Sequence, residues 1–166
     1  EFTRARLGGG FEIDVAPVDL GSLCEQIAAE LRIGATANVN VKVRGNVAGS
    51  WDEARLGEAI SNLASNAVEH AEPGTAVVVD VSGAAADEVT VAVTNRGAAI
   101  LPESLLDIFE PFKRTHASRQ VGHLGLGLFI AQQVAVAHGG ALTVESARGV
   151  TTFTMRIPRV SRRKVA

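Results

Sequence analysis

The chain has 166 residues, 46% of them hydrophobic, and a formal net charge of −2. These values are typical of one globular domain with its own core, and they exclude the strongly basic character that favours nucleic-acid binding. Cys24 is the single cysteine, which excludes an internal disulfide and a cysteine-based zinc site and favours a reducing, cytoplasmic location. The sequence contains no run of about 18 apolar residues, the length that crosses a bilayer.

The first third of the chain predicts two strands and a helix. Residues 1–12 contain three consecutive glycines and are assigned to a linker. Apolar residues alternate with other residues over 11–15 and again over 39–43, which predicts a strand in each place. Between them, Asp19 is a suitable N-cap for a helix whose apolar residues recur on one face.

A second helix is predicted to begin after Asp52 and to end near His70, before a Glu-Pro-Gly sequence. Its apolar residues form one stripe, which we expect to be buried: Leu56, Ile60, Leu63 and Ala67. Beside this stripe lies a polar ridge whose members are four residues apart: Glu58, Asn62, Asn66 and His70.

The rest of the chain predicts four strands and two helices. The strands are expected over 76–81, 89–94, 141–146 and 151–157; the helices run from Pro102 toward Phe109 and over 124–138, on either side of an irregular polar segment, 111–123. Because strands follow one another without strict β-α-β alternation, the fold class is α+β, a two-layer sandwich with helices on one face of a mixed sheet. Residues 13–158 form this domain, and residues 159–166 are assigned to a basic, solvated tail.

The two asparagines of the second helix are the first candidates for chemistry. Asparagine disfavours helix interiors, because its side chain competes for backbone hydrogen bonds. Its carboxamide oxygen suits Mg²⁺, which often keeps bound water and shares phosphate oxygens. Asn62 and Asn66 therefore have two interpretations, a magnesium and phosphate site or two asparagines on an exposed helix face.

The run from Asn62 to Ala67 resembles the N box of the family that contains histidine kinases, DNA gyrase, the large heat-shock chaperone and mismatch-repair ATPases. The resemblance implies that Asn62 and Asn66 bind Mg²⁺ and phosphate oxygens, and that His70 lies against the nucleotide. Glu69 stands where many members of the family carry a basic phosphate contact, so the resemblance implies no lysine clamp here.

The run from Val93 to Gly97 resembles the G1 box of this family, which binds adenine. Asn95 stands where the family usually has Asp, and its amide oxygen can still accept a hydrogen bond from the adenine amino group, without charge assistance. Gly97 permits a close backbone approach. The resemblance of the last strand to the family's closing strand assigns Thr152 to the same adenine network; on these residues alone, a plain turn is the alternative.

Two further motifs resemble sequence boxes that lie on the phosphate side of the family's site. Phe109 to Phe112 resembles the F box, and the run Gly125, Leu126, Gly127 and Leu128 matches the G2 box, except that His123 replaces its usual first glycine. Glycines at a helix start let backbone N–H groups bind phosphate. Between the motifs, we assign the lid cations Lys113, Arg114 and Arg119 to the triphosphate tail; a solvated loop is the alternative.

The order of these motifs resembles the histidine-kinase branch most, over residues 14–158. The resemblance implies a Bergerat fold with a mostly antiparallel sheet, ATP and Mg²⁺ as cofactors, and transfer of the γ-phosphate to a histidine, as the catalytic domain of a two-component sensor kinase. It implies two partners, a response regulator and a histidine-bearing dimerisation domain of the same kinase, whose last helical turn falls within residues 1–12. The parent protein is expected to be a homodimer that can be membrane-anchored, and this chain alone a monomer.

No histidine of the chain lies in the His-Glu-x-x-x-Pro-like motif that receives the phosphate, so little or no self-phosphorylation is expected from His70, His116, His123 or His138. Three other functions stay open. They are a serine kinase of the anti-sigma-factor type, an ATP-driven clamp that hydrolyses ATP steadily, and a degenerate adaptor domain that docks partners without nucleotide. The departures at Glu69, Asn95 and His123 keep the adaptor open.

Overall fold

The two hydrophobic periodicities of the sequence become helices and strands in a computed structural model, which describes residues 12–34, 38–112 and 125–160. The elements, in chain order, are β1 (Ala16–Asp19), α1 (Leu20–Gly34), β2 (Asn38–Gly45), β3 (Ala48–Trp51), α2 (Glu53–His70), β4 (Ala76–Gly83), β5 (Glu88–Arg96), α3 (Pro102–Leu105), α4 (Gly127–Ala137), β6 (Ala141–Ala147) and β7 (Val150–Pro158).

Five strands form the main sheet, in the order β2-β4-β5-β7-β6. Only the pair β2–β4 is parallel; the other three pairs are antiparallel. The helices α1, α2 and α4 pack against this sheet, and the alternate residues of β4, β5 and β7 that face them are buried. The predicted α+β two-layer sandwich with a mostly antiparallel sheet is confirmed.

Helix α2 begins as its sequence predicted. The Asp52 carboxylate accepts hydrogen bonds from the backbone N–H of Arg55 at 3.0 Å and of Asp14 at 2.9 Å. Burial alone raises the pKa of Asp52, but these two backbone donors and nearby positive charge, including the Arg55 guanidinium, lower it, and the pKa lies below its ordinary value. The predicted stripe of Leu56, Ile60, Leu63 and Ala67 is at most 1% exposed. Asp19 caps α1 in the same way, through the Ser22 N–H at 2.9 Å.

Three element boundaries differ from the sequence prediction. Residues 12–15 are not a strand; β1 begins at Ala16 and pairs with β3, a strand that the sequence did not predict because its four residues show no clear alternation. The helix predicted from Pro102 ends at Leu105 instead of reaching Phe109. Helix α4 begins at Gly127 rather than 124, because Gly125 has a φ of 70°, which a right-handed helix cannot include.

Arg159, which the sequence assigns to a solvated tail, is held against the body of the domain. Its guanidinium donates hydrogen bonds of 2.9–3.0 Å to four backbone carbonyl groups, those of Ala48, Gly83, Ala85 and Ala86. Its backbone N–H donates to Asp87 at 2.9 Å. The end of β7 therefore joins the β4–β5 turn to the small β1–β3 sheet.

Among the described residues, no helix is long and apolar enough to cross a membrane. Cys24 is buried in α1, where burial, together with the carboxylates of Glu25 and Asp19, raises its pKa to about 12. Because the thiolate is the reactive form, this thiol has a packing role.

Candidate nucleotide-binding site

The asparagine pair of α2 lies beside the start of α4. Asn62 and Asn66 are one helical turn apart and both are half-buried. The side-chain amide nitrogen of Asn62 donates to the backbone carbonyl of Gly127 at 3.3 Å. The structure thus brings together two motifs that are 65 residues apart in the sequence.

The start of α4 has the features of an anion site. Leu126 occupies the N-cap and offers no side-chain hydrogen bond, and the first helical N–H bond runs from Ile130 to Leu126 at 2.8 Å. The N–H groups of Gly127, Leu128 and the next residue therefore have no partner four residues earlier in the helix. Their dipoles favour negative charge at this end of α4.

Phe112 and Gly125, the described residues on either side of residues 113–124, are joined by a hydrogen bond. The backbone N–H of Phe112 donates to the Gly125 carbonyl at 3.1 Å, with a Phe112 φ of 64°, which is uncommon for a bulky residue. The two F-box phenylalanines have different surroundings, because Phe109 packs edge-to-face on Phe153 at 6.2 Å whereas Phe112 is 64% exposed. The candidate cations Lys113, Arg114 and Arg119, and also His116 and His123, lie outside the described residues.

Asn95 lies at the end of β5, only 3% exposed, and its amide nitrogen donates to the backbone carbonyl of His70 at 3.3 Å. Because a carbonyl oxygen can only accept, this bond orients the amide nitrogen toward α2 and leaves the amide oxygen as an acceptor on the other side. A Cβ added to Gly97 would lie 2.2 Å from the same His70 oxygen, so the close approach predicted for Gly97 is to the protein's own helix α2. The His70 side chain is half-buried at this junction.

Thr152 does not lie beside Asn95. The register of β5 and β7 pairs Asn95 with Thr151, and Thr94 with Thr152. The two hydroxyl oxygens of Thr94 and Thr152 are 2.9 Å apart, on the face of the sheet away from Asn95. The prediction that Thr152 joins the Asn95 network is wrong, because a shift of one residue moves a strand side chain to the opposite face.

Thr151 occupies the position that the sequence reasoning gave to Thr152. It is 5% exposed, and its hydroxyl lies 2.7 Å from that of Ser146, whose oxygen accepts the Ile100 N–H at 2.9 Å. The signal was present in the sequence: Phe153 is the large apolar residue of this strand, and residues two apart share its face. Ser146 carries no comparable signal, because it is found only through its partner.

The remaining member of the polar ridge, Glu58, lies on the surface and pairs with Arg55 at 3.7 Å. Glu69, which stands where many members of the family carry a basic residue, is exposed as well. Within the described residues, no group of three or more histidine, cysteine, aspartate or glutamate side chains converges to hold a metal. A groove of about 660 Å³ opens between α1 and the end of β2, but none of the predicted site residues lines it. The donor set at the Asn62–Asn66 pair consists of carboxamides, which fits a cation that keeps water and phosphate oxygens as its other ligands.

Residues 51–161 match the model of the histidine kinase-, DNA gyrase B- and HSP90-like ATPases. The chain belongs to this family. The chain is 32% identical, over 95% of its length, to a bacteriophytochrome of Pseudomonas aeruginosa, and 34% identical, over 94%, to the sensor histidine kinase TrcS of Mycobacterium tuberculosis. It spans 22% and 32% of those two proteins.

The ATPase domain also resembles solved structures of sensor kinases. It superimposes on full-length ShkA in complex with AMPPNP with a TM-score of 0.78 and 30% identity, over 93% of this chain and 33% of that one. On the mycobacterial sensor histidine kinase MprB, the TM-score is 0.76 and the identity 28%, over 88% of this chain and 99% of that one. The domain is therefore the ATPase-type catalytic domain that sensor histidine kinases contain.

Proposed function

We propose that this domain binds ATP with Mg²⁺ and transfers the γ-phosphate to a histidine on the dimerisation domain of a two-component sensor kinase. The observation that supports the proposal is the hydrogen bond from Asn62 to Gly127, since it brings the Asn62 carboxamide beside the first residue of α4. The AMPPNP complex of the related ShkA supports a nucleotide at this fold.

Each side of the site has its own task in this proposal. The Asn95 oxygen accepts a hydrogen bond from the adenine amino group, and Thr151 supports it from the neighbouring strand. The amides from Gly125 to Leu128, with Lys113, Arg114 and Arg119 of the lid, hold the triphosphate. Asn62 and Asn66 hold Mg²⁺, which supplies charge neutralisation at the phosphates when it is bound.

The acceptor histidine lies elsewhere in this proposal. His138 is fully buried, and both of its ring nitrogens have hydrogen-bond partners, so it cannot receive a phosphoryl group. A histidine on a dimerisation domain of the parent protein is the acceptor that fits, and a response regulator is the downstream partner. We infer a dimeric parent on this basis. The hydrogen bonds of Arg159 support extending the proposed domain of residues 13–158 by one residue, within the family match that runs to residue 161.

Calorimetry with ATP, in Mg²⁺ and then in EDTA, tests the binding step. We expect binding that strengthens with Mg²⁺. We also expect a preference for ATP over GTP, because the His70 carbonyl binds the Asn95 amide nitrogen and leaves the amide oxygen as the acceptor. Adenine offers an amino donor to that oxygen, whereas guanine offers a carbonyl oxygen, which cannot donate. Absence of binding at millimolar nucleotide would instead favour the adaptor function. An acid-quench assay with labelled ATP should show no phosphohistidine on the chain alone.

A further inference from the structure

His138, the residue after α4, is a buried polar group that the proposed chemistry does not use; its exposed fraction is 0%. Its two ring nitrogens contact two different helices. Nδ1 lies 2.8 Å from the backbone carbonyl oxygen of Val134, one turn earlier in α4. Nε2 lies 3.1 Å from the backbone nitrogen of Asp52, the N-cap of α2.

These partners determine the tautomer of His138. A carbonyl oxygen can only accept, so Nδ1 must carry the hydrogen and donate to Val134. A backbone N–H can only donate, so Nε2 must be the acceptor for Asp52. The ring is therefore neutral, and its Nε2 forms a directional link between the end of α4 and the start of α2.

Two hydrogen bonds thus join α2 and α4, one at each end of α4. On α2, the bonded residues Asp52 and Asn62 are ten positions apart, and on α4 the bonded residues Gly127 and His138 are eleven apart. At the α-helical rise, these spans are about 15 Å and about 16 Å. The two helices are antiparallel here. Because the spans match, both bonds can form at the same axial position of α4, meaning its position along the axis of α2.

The fully buried apolar residues of α4 are few and small. The buried residues of α4 are Ala131, Val134 and Ala135, and α4 packs chiefly on α2. Burial of such small apolar groups is non-directional, so it selects the face of α4 more strongly than its position along α2. A directional polar link adds a preference for one axial position, beside the packing of the partly buried Leu128 and Ile130 and the short connection from α4 to β6.

We propose that His138 is a positioning residue for the phosphate side of the site. Through its bond to Asp52 it sets the axial position of α4, and it thereby holds the amides at Gly127 and Leu128 beside Asn62, although it lies at the far end of the helix. A slide by one helical turn would move those amides by about 5.4 Å, which no hydrogen bond to phosphate tolerates. The inference rests on the proposed nucleotide function for its effect, but the position of α4 itself does not.

Three substitutions at His138 separate its two hydrogen bonds. The amide of H138Q reaches the place of Nε2 and can accept from the Asp52 N–H. The amide of H138N reaches the place of Nδ1, so it can keep the bond to the Val134 carbonyl but loses the bond to Asp52. H138F keeps a ring and loses both bonds. A control, Val81→Ala, removes buried volume from β4 and no hydrogen bond between α2 and α4.

Calorimetry with Mg²⁺ and ATP, beside chemical denaturation of each variant, gives the first readout. We expect the dissociation constant to rise roughly 10-fold in H138N and H138F, because both lose the bond to the Asp52 N–H, and less than about 3-fold in H138Q, which keeps that bond. Equal affinities of H138N and H138Q, or affinities that only follow stability as in Val81→Ala, overturn the proposal.

Nuclear magnetic resonance without nucleotide gives the second readout. The amide signals of Gly127 and Leu128 should move in H138N and stay near their wild-type positions in H138Q; identical spectra in this region overturn the proposal. This readout decides the positioning role even if H138F does not fold. If the wild-type domain fails to bind ATP while these shifts appear, the proposed function fails and the positioning role stands.

Discussion

The adenine side and the phosphate side of the site are constructed by different kinds of contact. On the adenine side, backbone pairing places Asn95 opposite Thr151, and the Gly97 N–H donates to the Gly149 carbonyl at 3.0 Å. On the phosphate side, two packed helices meet through the side-chain bond from Asn62 to Gly127. One side is part of the sheet, and the other depends on how one helix docks on another.

This difference predicts two kinds of response to substitution. Strand register can change only by whole residues. A substitution on the adenine side should therefore either leave the register intact or destabilise the fold. A docked helix can shift by small amounts, so changes on the phosphate side should alter nucleotide binding and leave stability nearly unchanged. The four predictions below test this contrast, from the largest expected effect to the smallest.

Asn66→Ala should give the largest change, on the phosphate side. Removal of its carboxamide takes away a proposed Mg²⁺ ligand, and we expect ATP affinity in Mg²⁺ to fall about 100-fold, with little change in EDTA. Ser65→Ala, on the same helix, is the control and should bind as the wild type does. Equal losses with and without Mg²⁺ would show that Asn66 does not act through the metal.

Gly97→Ala should act on the adenine side through the fold. The added methyl group would lie 2.2 Å from the His70 oxygen, and relief of that overlap should lower the free energy of unfolding by about 2 kcal/mol. Gly57→Ala is a matched control, because its methyl group meets only Leu23, at 3.7 Å, and alanine favours a helix interior. Chemical denaturation of both variants measures the difference, and similar stabilities would contradict the close approach.

Thr151→Val and Thr152→Val form a pair that tests the strand register. Thr151 lies on the Asn95 face, so loss of its hydroxyl should weaken ATP binding about five-fold, the effect of one hydrogen bond. Thr152 lies on the other face, where its loss affects only the Thr94 contact and should leave binding unchanged. Calorimetry decides between them, and a greater effect of Thr152→Val would reverse the assignment.

Asp52→Asn should have the smallest effect, because asparagine is also a good N-cap. The folded pKa of Asp52 is lowered, so its carboxylate contributes stability above the ordinary aspartate pKa of about 4, and this contribution is lost as the pH falls through the folded pKa. The variant should lose under about 1 kcal/mol at pH 7 and should unfold less steeply with acid. Glu53→Gln, at an exposed carboxylate of the first turn, is the control for denaturation from pH 7 to pH 3. The same acid dependence in the Asp52 variant and the wild type would exclude this contribution.

The sequence predicted those parts of the fold that depend on local pattern. The buried stripe of α2 and its Asp52 cap could be predicted, because helix periodicity and capping depend on residues close in the sequence. The strand β3 was not, since four residues become a strand only through their partner β1. The sheet face on which Thr152 lies depends on a partner 58 residues away, and the hydrogen bond of His138 to Asp52 depends on one 86 residues away. No local sequence pattern contains such pairs.

The hydrogen bonds of Arg159 have a consequence for where this domain can be cut from a longer chain. A fragment that ends at Pro158, the boundary drawn from the sequence, loses the donor for four carbonyl groups, one at the start of β3 and three at the β4–β5 connection, and the partner of the Asp87 carbonyl. A fragment that is one residue longer keeps them all. The practical limit of the module is therefore set by a single guanidinium group rather than by the last strand residue.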